Sequence, residues 1–286
     1  MIELIKDRLK TYGISNPLDE EHATKEVLQE IALYALWRLR FFDVGLFQGG
    51  TSLRILHGLP RFSEDLDFML RRPDPDFDWS RYLEPMLGIF AEFGLQSEAL
   101  PRGKMDARIR AAVIKDTSVA QQIDLGFADR DPRRKIKIKL EIDVEPPLYS
   151  GEDVTFLDFP LDHEVRHQDL ASNFALKVHA LLCRGFLKGR DWFDFSWYVA
   201  RGVYPNLPHL EVALSQFGPW SEEEGLRVDP DWLLAALTEK IAEIEWSAAA
   251  EDVRRFLKPA QAASLDLWSK RFFLDKLRKL DANRPY

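Results

Sequence analysis

Gly49-Gly50-Thr51-Ser52-Leu53-Arg54-Ile55-Leu56-His57-Gly58-Leu59-Pro60-Arg61-Phe62-Ser63-Glu64-Asp65-Leu66-Asp67 opens on a pair of glycines and closes on two aspartates one residue apart. With Phe68, Met69 and Leu70 behind them, Asp65 and Asp67 read as the head of a strand whose Leu66 faces inward. Side chains alternate along a strand, so both carboxylates project from one face. Two carboxylates so placed repel each other unless a cation stands between them, and their oxygens suit a divalent metal. Thr51 to Leu59 reads as a helix stopped by Gly58 and Pro60, and Phe41 to Gln48 as the strand before it. The stretch predicts a strand, glycine turn, helix, strand unit.

Outward from this unit, residues 1 to 18 carry a short amphipathic pattern, and a longer helix is expected from Asp19, with Val27, Leu28, Ile31, Leu33, Leu36 and Trp37 on a broad apolar face. Downstream, Arg81 to Phe93 is helical by pattern and closed by Gly94. Leu95 to Leu100, Ala107 to Ile114, Ala120 to Phe127 and Ile136 to Val144 have strand length with turn residues between them, which predicts an antiparallel extension of the sheet. The last of these alternates strictly, so Lys135, Lys137, Lys139, Glu141, Asp143 and Glu145 share a face. A solvated face accounts for such a pattern in most strands. Here a third acid is wanted beside Asp65 and Asp67, and Glu141 is the first choice with Asp143 the alternate. Pro146-Pro147 marks a domain boundary, beyond which helices are expected. The fold class is therefore α+β: a mixed sheet with helices over residues 1–150, followed by a mainly helical C-terminal domain over 151–286.

Composition narrows the chemistry. The chain of 286 residues has a formal net charge of -8, so any nucleic-acid partner must bind a local basic patch on an acidic body. Its single cysteine, Cys183, excludes an intramolecular disulfide and a thiolate zinc cluster. Charges interrupt every apolar run before it approaches the roughly 20 residues of a membrane span, so a cytoplasmic protein without a membrane partner is expected. The histidines show no metal-ligand spacing. Metal held by three carboxylates would activate an attacking hydroxyl and stabilise departing pyrophosphate. Backbone N–H groups of the glycine turn, at the helix N-terminus, would cradle the phosphates of a nucleoside triphosphate.

Gly-Gly-Thr-Ser at 49–52, Arg-x-Ser at 61–63, Asp-Leu-Asp-Phe at 65–68, Ala-Leu-Lys-Val-His-Ala-Leu at 175–181 and Arg-Asp-x-x-Asp at 190–194 are ordered, separated motifs. Together they resemble the AbiEii/AbiGii nucleotidyltransferase toxins, a branch of the DNA polymerase β-like nucleotidyltransferase superfamily, over roughly residues 45 to 200. The resemblance implies a polymerase β-like catalytic domain, Mg²⁺ or Mn²⁺ as cofactor, an NTP as substrate, tRNA as acceptor at its 3′ end, and a cognate antitoxin protein. A toxin-antitoxin or phage-defence system would be its setting. Carried over by position, Gly49, Gly50 and Thr51 or Ser52 bind the triphosphate, and Asp65, Asp67 and Glu141 ligate metal. Lys177 contacts nucleotide phosphates, and Asp191 is a further catalytic acid and candidate base. Arg61 and Ser63 belong with the nucleotide, and Arg184, Arg190 and Asp194 are a second tier. The family often has serine directly after its second glycine. Here Thr51 precedes Ser52, which leaves open the hydroxyl that meets phosphate.

Other readings compete. Lys177 reads equally as a solvated helix lysine, Asp191 as a first-turn acid, and Arg190 with Asp194, four apart, as a surface ion pair. Trp192, Phe193, Phe195, Trp197 and Tyr198 read as interdomain core rather than base-stacking groups. At the level of function, the same core also serves transfer of a nucleotide to a protein or a small molecule, and a catalytically inactive copy would serve as a binding module.

Overall fold

The strand Asp65–Leu70 lies fourth of seven in a mixed sheet, flanked on one side by Gly45–Gln48 and on the other by Ile136–Asp143. A computed structural model gives this architecture and describes residues 1–102, 108–116, 118 and 136–285. The strands are β1 (Gly45–Gln48), β2 (Asp65–Leu70), β3 (Ser97–Arg102), β4 (Ile109–Asp116), β5 (Ile136–Asp143), β6 (Glu152–Leu157) and β7 (His163–Gln168), in the order β3-β4-β5-β2-β1-β7-β6. Helices α1 (Ile2–Lys10), α2 (Pro17–Arg38), α3 (Gly49–His57) and α4 (Ser80–Glu92) accompany the sheet. The later helices are α5 (Leu170–Cys183), α6 (Gly189–Ala200), α7 (Leu207–Gln216), α8 (Pro230–Glu243), α9 (Trp246–Arg254), α10 (Pro259–Ala262) and α11 (Lys270–Ala282). This is an α+β fold. Two compact units divide the chain: Met1–Gly58, Phe62–Pro146 and Asp153–His167 form one, and Leu59–Arg61, Pro147–Glu152 and Gln168–Tyr286 form the other.

In the first unit, α2 is buried nearly all round from Ala23 to Leu36 and packs on α4 and β5, as expected of a helix that is apolar on most faces. It starts two residues earlier than its periodicity suggests. Asn16 Oδ1 accepts the backbone N–H groups of Leu18 and Asp19, both at 2.9 Å, and Pro17 occupies the first turn, where a missing N–H costs nothing. Gln29 on this helix donates Nε2–H to the carbonyls of Glu64 at 2.9 Å and Ser63 at 3.3 Å. The segment that leads into Asp65 is thereby braced from the core.

The expected first strand is shortened by half. Arg40 turns with φ 60°, and Phe41–Asp43 form a single 3₁₀ turn before β1. Burial explains the difference: the Phe41 ring stacks on Trp79 with centroids 5.4 Å apart and meets Phe68 edge-on at 5.0 Å. β3, β4 and β5 pair antiparallel, with β4 directly between β3 and β5. The expected strand Ala120 to Phe127 and the basic residues Lys104, Arg133, Arg134 and Lys135 fall outside the described residues. Beyond Pro147, the expectation of helix misses β6 and β7. β7 runs parallel to β1 with Phe47 opposite His167, and β6 is an edge strand with Val154 and Phe156 exposed. β7 is mostly polar, and β6 carries its alternating Val154 and Phe156 on an exposed face.

Within the first unit, α3 is tied to β2 by Thr51, whose side chain is fully buried and whose Oγ1–H donates to the Asp65 carbonyl. Removing that donor strands a buried acceptor, at a cost of about 1–3 kcal/mol. Thr51→Val is accordingly expected to lose that much unfolding free energy, seen as a lower urea midpoint with an unchanged m-value. A midpoint equal to wild type would show that Thr51 is no structural tie.

Candidate functional site

Gly49 is the first residue of α3 and sits directly against Asp67 of β2. Its φ is +76°, a region that glycine enters freely. A Cβ built there would lie 2.7 Å from Asp67 Oδ2 and 3.1 Å from Asp67 Cβ. Backbone conformation and close approach therefore both require glycine, and the N-terminus of α3 is held beside a carboxylate of the acid strand. The positive end of a helix favours such a neighbour and also favours phosphate. Ser52 Oγ–H donates back to the Gly49 carbonyl at 2.8 Å. Both hydroxyls of the turn thus have internal acceptors, and both residues are buried.

β2 and β5 run parallel with Asp65 opposite Lys139, Asp67 opposite Glu141 and Met69 opposite Asp143. Residues in register on neighbouring strands share a face, so Asp65, Asp67 and Glu141 point the same way and are half-buried. Asp143 lies one step further along, beside an apolar residue. Its carboxylate pairs with Arg108 at 3.0 Å and accepts the Glu145 backbone N–H at 2.9 Å. The register favours Glu141 as the third acid.

Lys139 supplies a positive charge on this face, with Nζ 2.6 Å from Glu141 Oε1. Among the described residues, no three His, Cys, Asp or Glu side chains converge as a metal-binding group. The three acids share a face without closing on a point. Their chemistry nonetheless fits a hard divalent cation, since all are oxygen donors. Burial pushes the Asp65 carboxyl above its ordinary value; Lys139 lowers it and Glu141 raises it again. A cation on this face would relieve that cost.

The second unit assembles a different group. α5 contributes Lys177, α6 contributes Asp191 and Asp194, and the short segment Leu59–Arg61 contributes Arg61. Arg61 is 2% exposed and forks onto the fully buried Asp194, with Nε to Oδ1 and Nη2 to Oδ2 each 2.6 Å. Lys177 Nζ stands 2.8 Å from Asp191 Oδ1 and 3.0 Å from Asp194 Oδ2. Arg184 Nη1 closes the chain on Asp191 Oδ2 at 2.6 Å. Burial alone would raise the Asp191 carboxyl, but Lys177, Arg184 and Lys188 outweigh it and hold the group at about 2. Asp194 is held low in the same way by Arg61 and Lys177 against its burial. Burial works against the charge of Lys177, and Asp191 and Asp194 more than restore it.

Several sequence expectations change here. Asp194 does not form a surface pair with Arg190; it is buried on Arg61 and Lys177, while the Arg190 guanidinium lies 4.3 Å from the Phe256 ring centroid. Lys177 is not a solvated helix lysine. Asp191, strongly acidic and with both oxygens engaged, has the character of an anchor rather than a base. Trp192, Phe195 and Tyr198 are core within the second unit, packing on Trp246, Phe273 and Phe174. Gly50 is buried in the first turn of α3, and Ser63 is half-buried, its carbonyl taken by Gln29. Two contributors had no motif to announce them. Gln29 sits in an apolar helical run, and Lys139 is recognisable only from its position two residues before Glu141 on an alternating strand.

Two expectations follow. Arg61→Met leaves Asp194 undercompensated in the interior and should cost about 3–5 kcal/mol; unchanged thermal stability would mean that the pair is dispensable. For Asp191 the folded value lies below the ordinary 3.8, so its contribution is present above about pH 4 and is lost as pH falls through about 2. It amounts to about 2 kcal/mol. Urea unfolding of Asp191→Asn should therefore show a flatter pH dependence between pH 4 and 2 than wild type, and parallel curves would contradict the assignment.

With this geometry in view, the chain was compared with known proteins. The family model described as "Nucleotidyl transferase AbiEii toxin, Type IV TA system" matches residues 31–276. A crystal structure from H. pylori, described as a candidate nucleotidyltransferase, is 17% identical and aligns over 91% of this chain and 96% of its own with a TM-score of 0.44. The structure of JHP933 from Helicobacter pylori is 16% identical, with coverages of 90% and 87% and a TM-score of 0.41. No curated protein matches. The family match spans most of the chain and takes in the glycine turn, the acid strands and the Lys177–Asp191–Asp194 network: the chain belongs to the AbiEii nucleotidyl transferase toxin family of type IV toxin–antitoxin systems.

Proposed function

We propose that this nucleotidyltransferase toxin transfers a nucleoside monophosphate from an NTP to the 3′ end of tRNA in a reaction that depends on Mg²⁺ or Mn²⁺, and so blocks translation. The observation that carries the proposal is the parallel register that sets Glu141 opposite Asp67, on the strand that abuts Gly49 at the start of α3. Type IV toxin–antitoxin membership supports a cognate antitoxin partner, and phage defence in the cytoplasm is the proposed setting. No helix among the described residues is long and apolar enough to cross a membrane.

In this reading the oxygen of the acceptor's 3′-hydroxyl forms a bond to the α-phosphorus. The bond from that phosphorus to the bridging oxygen breaks, pyrophosphate leaves with the electron pair, and the hydroxyl proton passes to solvent. Asp65, Asp67 and Glu141 would hold the divalent cation, which supplies charge stabilisation at the phosphate and acidifies the hydroxyl. The first N–H groups of α3 offer donors and the positive helix end to phosphate oxygens. Lys177 keeps a third N–H beyond the two that face Asp191 and Asp194, a donor available to an anionic ligand. Asp191 acts through Lys177 and Arg184, keeping both ionised and oriented; it is a positioning residue in this scheme.

A second reading, transfer to a protein or small molecule, is supported by the net charge of -8 and by the pairing of basic residues near the acids: Lys139 with Glu141 and Arg108 with Asp143. An inactive binding module has less support, because it gives no reason to keep Asp65 buried at a cost beside Asp67. Incubation of the protein with labelled NTP, total RNA and total protein separates these readings. Label should enter the tRNA fraction at its 3′ end with wild type, and Asp67→Asn, folded by circular dichroism, should lose at least about 100-fold in rate, in the range of removing a transition-state charge contact. Label confined to protein would overturn the tRNA reading, and no label anywhere would favour the binding module.

A further inference from the structure

The second unit holds a cavity of about 270 Å³ beside the charge network, bordered by the end of α5, the start of α6 and the end of α8. Its cations are Arg184, Lys188 and Lys240, and its acids are Asp191, Glu243 and Glu245. The volume lies at the lower edge of small-molecule sites, enough for one nucleotide-sized group and too little for a helical stem. Phe186 lines it and is 68% exposed, on a turn where it serves no core. The Arg184 guanidinium stands 5.1 Å from that ring's centroid while also binding Asp191, so an aromatic face is held in place beside the network. Exposed aromatic rings next to arginine are the platforms on which unpaired bases stack.

Lys188 points to the other half of the ligand. It is half-buried, and among the described residues it has no carboxylate within ion-pair distance. Burial lowers its ammonium below the usual value; Asp191 raises it in part, and Arg184, Lys177 and Arg190 lower it further. Asp191 compensates this cation only in part, and an anion in the cavity would relieve the remainder. Three cations against three carboxylates give the cavity no net charge, which disfavours a polyanionic triphosphate more than a singly charged phosphodiester.

We propose that this cavity captures the unstacked terminal nucleotide of a single-stranded RNA acceptor, with its base on Phe186 and its phosphodiester between Lys188 and Lys240. The assignment rests on the RNA-acceptor reading above and adds to it the place where the acceptor end is held. Its counterpart, the incoming NTP, shares the nucleotide chemistry and is separated by the test.

Fluorescence anisotropy of a 5′-labelled single-stranded oligoribonucleotide with a free 3′-hydroxyl, titrated in EDTA so that no turnover occurs, measures the acceptor arm. A fluorescent NTP analogue titrated with Mg²⁺ measures the other. Phe186→Ala, and separately the pair Lys188→Met with Lys240→Met, should weaken oligonucleotide binding by about tenfold with NTP binding unchanged, and Phe186→Trp should retain it. Thermal unfolding near that of wild type confirms that the variants fold. Loss of NTP binding with oligonucleotide binding intact would assign the cavity to the NTP and overturn the proposal. Equal oligonucleotide binding by wild type and all variants would overturn it while leaving the RNA reading in place. Failure of wild type itself to bind the oligonucleotide would overturn both.

Discussion

The approach of Gly49 to Asp67 is the constraint on which the junction of helix α3 with the acid strand depends. A helix can begin against an acid strand only if its first residue has no side chain and tolerates a positive φ, and Gly49 meets both conditions. The remaining ties keep that approach in register. Thr51 binds the carbonyl of Asp65, and Gln29 holds the carbonyls of Ser63 and Glu64 from the buried helix α2. Together these contacts fix the helix end relative to the carboxylates.

Charge is managed differently in the two units. On the sheet, the acids are half-buried and only partly neutralised, with Lys139 against Glu141 and Asp65 made less acidic than usual by burial. This is a surface that gains by taking up a cation. In the second unit, Arg61, Asp194, Lys177, Asp191 and Arg184 alternate in sign and satisfy one another with short contacts. Buried ion pairs of this kind are costly to assemble and costlier to break. Their worth here is orientation: Lys177 is fixed by two carboxylates, and Asp191 by two cations.

How much of this was legible from residues alone can be judged element by element. The glycine turn, helix α3 and the acid strand follow from local rules, because glycine conformation, helix stops and strand alternation act within a few residues. The family motifs contain Lys177 and Asp191, but spacing said nothing of their mutual contact. Strands β6 and β7 escaped notice because an edge strand and its neighbour tolerate polar residues, and their place in the sheet is decided by pairing across more than a hundred residues with β1. Asp194 was misplaced on the surface for a similar reason. Its spacing from Arg190 satisfies the helical rule for ion pairs, while its true partner Arg61 lies 133 residues away in sequence.

The sequence by itself determined the chemistry available: a phosphate-sized glycine turn, carboxylates on one strand face, a lysine and an aspartate on later helices, and membership of a nucleotidyl transferase family. Only the tertiary structure decided which of those groups are neighbours. The parallel register of β2 with β5 set Glu141, and not Asp143, opposite Asp67, and burial turned Arg61 and Asp194 from candidate surface groups into a forked internal pair. The physical reason is that residue type and short spacing specify donors, acceptors and local backbone, whereas strand register and burial depend on contacts between segments far apart in the chain.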